Sequence, residues 1–391
     1  MPTPVEGTGH HRMALLTAAA TLCLICIGGL VTSHGVGMSV PDWPNTYGYN
    51  MFFFPFSRWV GGIFYEHSHR LVASGVGLLT TILALWLHGI KARPWLRWPG
   101  LLIFLAGIAT ALKAPDRGQD AAVLLIVGSL AALCSFLWPR CAPAPLWLRR
   151  LGLMAFFGVV LQGVLGGLRV TTIKDELGIF HATLAQLFFC LICSIALFTS
   201  SWWRSRSSTP TPMAKTAGLS RFFILGTILI LVQLTLGAVM RHQHAGLAIP
   251  DFPLAYGRIW PDTSEPAITL YNQQRLEVMA AKPITATQIR LQMTHRILAI
   301  LILGTIIATA RTTLSRLGAK SFLGRVSLVW LGLILLQVLL GVATIWSNKA
   351  ADFATGHVLC GALALALGAV ACIVSIQNLA SARDDGSMDL R

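Results

Sequence analysis

Apolar residues run along this chain in blocks of about 20, the length a helix needs to cross the hydrocarbon core of a bilayer. Short polar stretches separate them. Ten blocks are read, near residues 13–33, 59–88, 98–114, 120–138, 151–171, 177–199, 221–241, 289–309, 326–346 and 353–376. Lipid offers no partner to exposed backbone N–H and C=O groups, so the spans are expected to be helices. The first block, about Met13 to Thr32, has no A-x-A cleavage signal and is read as a retained helix.

The polar stretches carry a repeat. Pro41-Asp42-Trp43-Pro44-Asn45-Thr46-Tyr47-Gly48 returns as Pro250-Asp251-Phe252-Pro253-Leu254-Ala255-Tyr256-Gly257. Gly28 and Gly37 realign with Gly237 and Gly246 at the same offset of 209. Glu66-His67-Ser68-His69-Arg70 is echoed by Gln292-Met293-Thr294-His295-Arg296. Each half then has a further helix opening near a histidine, His181 or His357, and Gln162 and Gly166 match Gln337 and Gly341.

Composition narrows the class. Hydrophobic residues make up 55% and charged residues 12%, against about a quarter charged in soluble domains. The net charge of +15 lies in short loops on alternate sides, which is a membrane-orientation pattern and not a nucleic-acid surface. Lys91, Arg93, Arg97, Arg140, Arg149, Arg150, Arg204, Arg206, Lys215, Arg221, Arg311, Arg316, Lys320 and Arg325 fall on one side. Both termini are therefore expected in the cytoplasm, and the repeats are expected to be parallel. The eight cysteines lie mostly inside spans and read as small apolar packing residues.

The halves differ in length. His69 to His181 is 112 residues and His295 to His357 is 62, so 50 extra residues fit one inserted helical hairpin at 98–138. The expected fold is an all-α polytopic membrane protein of about ten transmembrane helices, made of two parallel-repeat four-helix bundles plus that hairpin. The N-terminal bundle covers 1–200, a cytoplasmic linker 201–220, the C-terminal bundle 221–380 and a polar tail 381–391.

Ionisable residues inside a membrane are functional candidates by default. His69, His181, His295 and His357 form two pairs in register, and no carboxylate or thiolate cluster completes a zinc tetrahedron beside them. Two histidines on facing helices suit the axial positions of haem iron. Arg70 and Arg296 are candidates for propionate pairing, with snorkelling to the interface as the plain alternative. Glu66 lies one turn before His69 on the same face, whereas its counterpart Gln292 does not titrate. A carboxyl there can move protons or stabilise positive charge; an i,i+4 partnership with Arg70 is the other reading. The first bundle thus reads as reactive and the second as an electron-transfer or structural site. His67 falls off the His69 face. His34, His242 and His244 are expected in solvated loops, and His10, His11 and His88 near the surface. Asp42 and Asp251 are expected to bond turn backbone.

Taken together, the G-x-x-x-P-D-W-P loop, Glu66-x-x-His69-Arg70, His181-Ala182-Thr183-Leu184-Ala185-Gln186, Thr294-His295-Arg296 and Thr355-Gly356-His357 resemble the heme A synthase family. The resemblance covers nearly all the chain except the hairpin and tail. It implies a haem-dependent membrane oxidoreductase that converts the C8 methyl of heme O to a formyl by successive hydroxylations, for cytochrome c oxidase. It further implies that His69 and His181 flank heme O, that Glu66 is essential, and that His295 and His357 ligate a heme b cofactor. A bacterial cytoplasmic (inner) membrane, a separate electron donor and an oxidase assembly partner are expected with it; loop charge puts the haem sites toward the outer face, and the inserted hairpin is a candidate surface for a partner such as a heme O synthase. Unlike some bacterial members, the chain has no cysteine pair flanking the first loop motif; Ser39 and Thr46 stand nearby. A dihaem cytochrome b-type protein that only transfers electrons, for example with quinone, is the rival reading.

Overall fold

The computed structural model describes residues 4–206, 218–274 and 283–388, with side chains for 8–205, 218–274 and 283–377. Ten helices among the described residues are long and apolar enough to span a membrane. They are α1 (Pro4–Ser33), α2 (Gly61–Leu87), α3 (Arg93–Lys113), α4 (Gly118–Leu137), α5 (Leu146–Thr172), α6 (Asp175–Thr199), α7 (Leu219–His242), α8 (Ala286–Leu317), α9 (Phe322–Trp346) and α10 (Ala351–Met388). Each coincides with one apolar block, so the chain is an all-α polytopic membrane protein. Most of the expected linker, residues 207–217, lies outside the described residues, as do the side chains of the polar tail.

Helix ends follow local chemistry. Thr285 opens α8 with a capping box to Gln288, and Ser321 caps α9 by accepting the Gly324 N–H. Asp175 and Glu176 occupy the first turn of α6, where the backbone dipole favours negative charge.

The chain forms two compact units. One contains Met1–Ile27, Gly35–Ile173 and Leu191–Arg204; the other contains Gly28–His34, Lys174–Cys190 and Ser205–Arg391. Within the first unit, α1 meets α2 where His10 Nε2 lies 3.2 Å from the Trp86 carbonyl, and meets α6 where His11 Nδ1 lies 2.9 Å from the Ala196 carbonyl. Leu87 of α2 fills the space left by Gly152 of α5, and Trp147 of α5 meets Phe198 of α6 edge-on. His10 and His88 are therefore buried rather than at the surface, because backbone carbonyls and the Trp86 and Trp95 rings cover them.

The helices α3 and α4 pack on each other more extensively than any other two among the described residues. Gly100, Gly107 and Gly128 make this possible: a side chain at Gly128 would overlap the Phe104 backbone, and one at Gly100 would meet the Ala132 nitrogen. In lipid there is no hydrophobic drive between helices, so close backbone approach supplies the dispersion contacts that hold the hairpin.

In the second unit, α7 packs on α8 and α10, and α9 packs on the same two, closing a four-helix ring. Trp330 of α9 is fully buried at its centre. Its indole donates to the Ala364 carbonyl (2.8 Å), its ring faces Phe223, and Gly226 and Gly368 leave the space it fills. None of the eight cysteines forms a disulfide.

Replacing Gly128 with Leu should separate α3 from α4 and lower stability by about 1–3 kcal/mol, the usual range for overpacking. Thermal unfolding of the purified protein checks this; an unchanged midpoint would contradict the close-packed hairpin.

Candidate functional site

The two repeated loops adopt the same hydrogen-bonded form. In the α1–α2 loop, Asp42 accepts the N–H groups of Tyr47 and Gly48 (both 2.8 Å). In the α7–α8 loop, Asp251 accepts those of Tyr256 (2.7 Å) and Gly257 (2.9 Å). Tyr47 donates its hydroxyl to the Ser39 carbonyl, as Tyr256 does to Ala248. Strands Asn45–Thr46 and Tyr49–Asn50 pair in the first loop, and the Ala255–Arg258 bridge is their counterpart. Gly48 (φ 77°) and Gly257 (φ 74°) take the left-handed turn position that suits a residue without Cβ. Trp43–Pro44 and Phe252–Pro253 are both cis.

Each loop is tied to its histidine helix by an acid or amide and an arginine. Glu66 is 3% exposed; its Oε2 accepts the Val40 N–H (2.8 Å) and its Oε1 accepts from Arg70 (2.7 Å). Arg70 also donates to the carbonyls of Val40, Asp42 and Asn45, which engages all four Nη hydrogens. In the second repeat Gln292 accepts the Ile249 N–H (2.6 Å) and donates to the carbonyls of Gly246 and Ile249. Arg296 donates to the carbonyls of Asp251 and Leu254 and lies over the Phe252 ring. Arg70 and Arg296, the propionate candidates, thus both bond loop carbonyls, while the buried Nε of Arg296 has no hydrogen-bond partner. The expected i,i+4 partnership of Glu66 with Arg70 is present.

The loops differ in what covers them. Offsets of 209 in the loops and 226 at the histidine helices leave the second loop 17 residues longer. Part of that length is the helix Glu265–Gln273, whose Tyr271 stacks on Tyr256 with ring centres 3.6 Å apart. The first loop is braced by the inserted hairpin: Asn50 receives a hydrogen bond from neither side chain but donates to both, its backbone N–H to Gln119 (3.1 Å) and its amide to Asp120 (2.9 Å). Beneath it, His67 is fully buried between Phe54 and Trp59, with Nδ1 3.1 Å from the Thr46 hydroxyl. Sequence spacing alone showed that His67 leaves the His69 face, not what would enclose it. His242, expected in a solvated loop, is also buried, where Gly178 leaves room for its ring.

Of the four repeated histidines, His295 on α8 and His357 on α10 come together, with ring centres 6.5 Å apart and planes at 60°. Two imidazoles bonded to one metal at about 2 Å would hold their ring centres roughly 6 Å apart. Gly237 of α7 lies against the His295 ring and Gly341 of α9 against that of His357. Gln233 fixes the turn at His295 by donating to its carbonyl (2.9 Å). The Nδ1 atoms of both rings and the Oε1 atoms of Gln233 and Gln337 are buried without a hydrogen-bond partner. No group of three or more His, Cys, Asp or Glu side chains gathers as a metal site among the described residues. Two protein nitrogens in an apolar bundle therefore fit a metal whose remaining ligands come from a macrocycle, and fit a tetrahedral zinc poorly. His69 lies half-buried on α2 of the first unit, one turn beyond Glu66, and His181 lies half-buried on the α6 segment of the second.

Residues 120–369 match the COX15-CtaA family, described as cytochrome oxidase assembly protein. The chain belongs to this family. The match runs from α4 to α10 and so includes His181, His295 and His357, while Glu66 and His69 precede it. The chain is also 33% identical, over 230 residues, to the heme A synthase of Beijerinckia indica subsp. indica; the aligned region is 56% of this chain and 59% of that protein's length. This member of the assembly family carries both twin loops and the paired imidazoles of the second unit.

If the Gln292 contacts hold the second loop, Gln292→Ala should leave the Ile249 N–H without its acceptor, costing about 1–3 kcal/mol. Hydrogen exchange at Ile249 should then quicken by one to two orders of magnitude, roughly the kinetic equivalent of that loss. Exchange at the wild-type rate would rule the contact out as a restraint.

Proposed function

We propose that this chain is a heme A synthase: a membrane oxidoreductase that oxidises the C8 methyl of heme O to a formyl by successive hydroxylations and so supplies heme A to cytochrome c oxidase. The observation that carries the reading is the His295–His357 pair in its apolar four-helix ring, joined to membership of the assembly family. In this reading His295 and His357 hold heme b, which supplies one-electron transfer when bound. Gly237 and Gly341 keep side chains clear of the two rings at their Cε1 atoms, and the surrounding apolar helices exclude water.

His69 and His181 are assigned to the heme O substrate. Glu66, ion-paired to Arg70 one turn from His69, sets a fixed carboxylate at the first site where Gln292 leaves the second neutral. Its part is to stabilise positive charge as the methyl loses electrons and protons. Arg70 and Arg296 hold the loops through backbone carbonyls and are the candidates for the haem propionates, Arg296 through its unpartnered Nε. With its oxygen drawn from water, a methyl becomes a formyl in a four-electron oxidation (methyl plus one water gives formyl plus four protons and four electrons), so a separate electron-accepting partner is required. Loop charge favours cytoplasmic termini in a bacterial inner membrane, with the haem sites toward its outer face.

One observation favours the rival reading of a dihaem electron-transfer protein: Glu66 and Gln292 both hold loop backbone in the same way. Glu66→Gln separates the two, because the second loop already shows a glutamine making such bonds. The substitution should abolish heme A formation while bound haem is retained. Normal heme A after pigment extraction and chromatography would reject the catalytic assignment. Extracts of the wild-type protein should contain heme O, a hydroxylated intermediate and heme A beside heme b. His295→Ala or His357→Ala should lower the heme b recovered; full heme b in both variants would displace the cofactor from this bundle.

A further inference from the structure

We propose that Arg241 is the fixed positive charge that sets the reduction potential of the group held between His295 and His357; this rests on the heme b reading above. Arg241 ends α7 inside the second unit. Its guanidinium donates to the Gly29 carbonyl (2.6 Å) and to the Ser33 hydroxyl. Ser33 in turn lies 3.2 Å from the buried Thr355 hydroxyl, two residues before His357 on α10. Gly29 is pressed against the same threonine, where an added Cβ would meet Thr355 Cγ2 at 2.8 Å. This chain of contacts draws the guanidinium to the first turns of α10, through Ser33 to Thr355, two residues before His357.

The charge has no counterpart in the first repeat. At the offset of 209 the residue matching Arg241 is Thr32, whose hydroxyl bonds its own helix at Gly28. The other arginine of the second site, Arg296, is bound to loop carbonyls on the α8 side. A guanidinium stays charged even when half-buried, and in a medium of low dielectric its field is weakly screened. Adding an electron to ferric haem lowers the positive charge at iron, so a nearby cation favours the ferrous form and raises the potential. The first repeat places a carboxylate at the position one turn before its histidine, and the second places this arginine against its own. Because Glu66 is ion-paired to Arg70 while Gln292 is neutral and the second site adds this arginine, the second site is the more positive of the two, which would make it the better electron acceptor.

The test is a redox titration of the purified full-length protein, followed by haem absorbance. Arg241→Gln should shift the ferrous/ferric equilibrium about tenfold toward ferric, or about 59 mV for one electron, with haem content unchanged. Arg241→Lys, which keeps the charge, should stay near the wild-type potential. Should Arg241→Gln not accumulate, Ser33→Ala loosens the anchor and should produce a smaller fall. A bound haem whose potential is the same in wild type and Arg241→Gln, or in wild type and Ser33→Ala, overturns this proposal alone. A wild-type protein without haem, or haem retained in both His295→Ala and His357→Ala, overturns the heme b reading and this one with it.

Discussion

The most consequential interaction is a buried side chain satisfying loop backbone. The segments between α1 and α2 and between α7 and α8 are irregular, so their N–H and C=O groups cannot be paired by a helix or a wide sheet. Left unpaired near lipid, each would cost several kcal/mol. Glu66 with Arg70, and Gln292 with Arg296, supply partners from the next helix. Asp42 and Asp251 then close the tight turns from within. Because these residues sit a single turn or less from His69 and His295, fixing the loop also fixes the histidine-bearing end of the helix.

That coupling explains why a repeated loop and a repeated histidine travel together in the sequence. A histidine that is to ligate must present one ring nitrogen in a set direction, and an α-helix alone sets only its face. In the second unit the direction is further restricted by Gly237 and Gly341, which allow the rings to approach their neighbouring helices, and by Gln233 holding the His295 carbonyl. Two nitrogens are too few for a structural zinc but enough for the axial positions of a macrocycle-bound metal.

The repeats diverge at their supports. The second loop is covered by its own added helix, with Tyr271 stacked on Tyr256. The first is braced by Gln119 and Asp120 at the end of the inserted hairpin, and it encloses His67 among aromatic rings. The inserted hairpin holds itself together through Gly100, Gly107 and Gly128, so it can brace the loop without entering the bundle.

Sequence by itself determined the ten spans, because a helix is the only way an apolar run of that length can cross lipid. It also revealed the twin loops, since Asp42, Tyr47 and Gly48 recur as Asp251, Tyr256 and Gly257, and it marked the histidine positions through their register. It left Glu66 with two readings and did not reveal that Arg70 and Arg296 bond loop carbonyls, because spacing reports which face a residue occupies and not which backbone folds over it. The burial of His67, His88 and His242 escaped for the same reason. Only the tertiary structure decided that Glu66 and Gln292 hold their loops alike, that His295 and His357 meet across one bundle, and that Arg241 reaches the α10 side. Each depends on contacts between residues far apart in the chain, where no local periodicity carries the information.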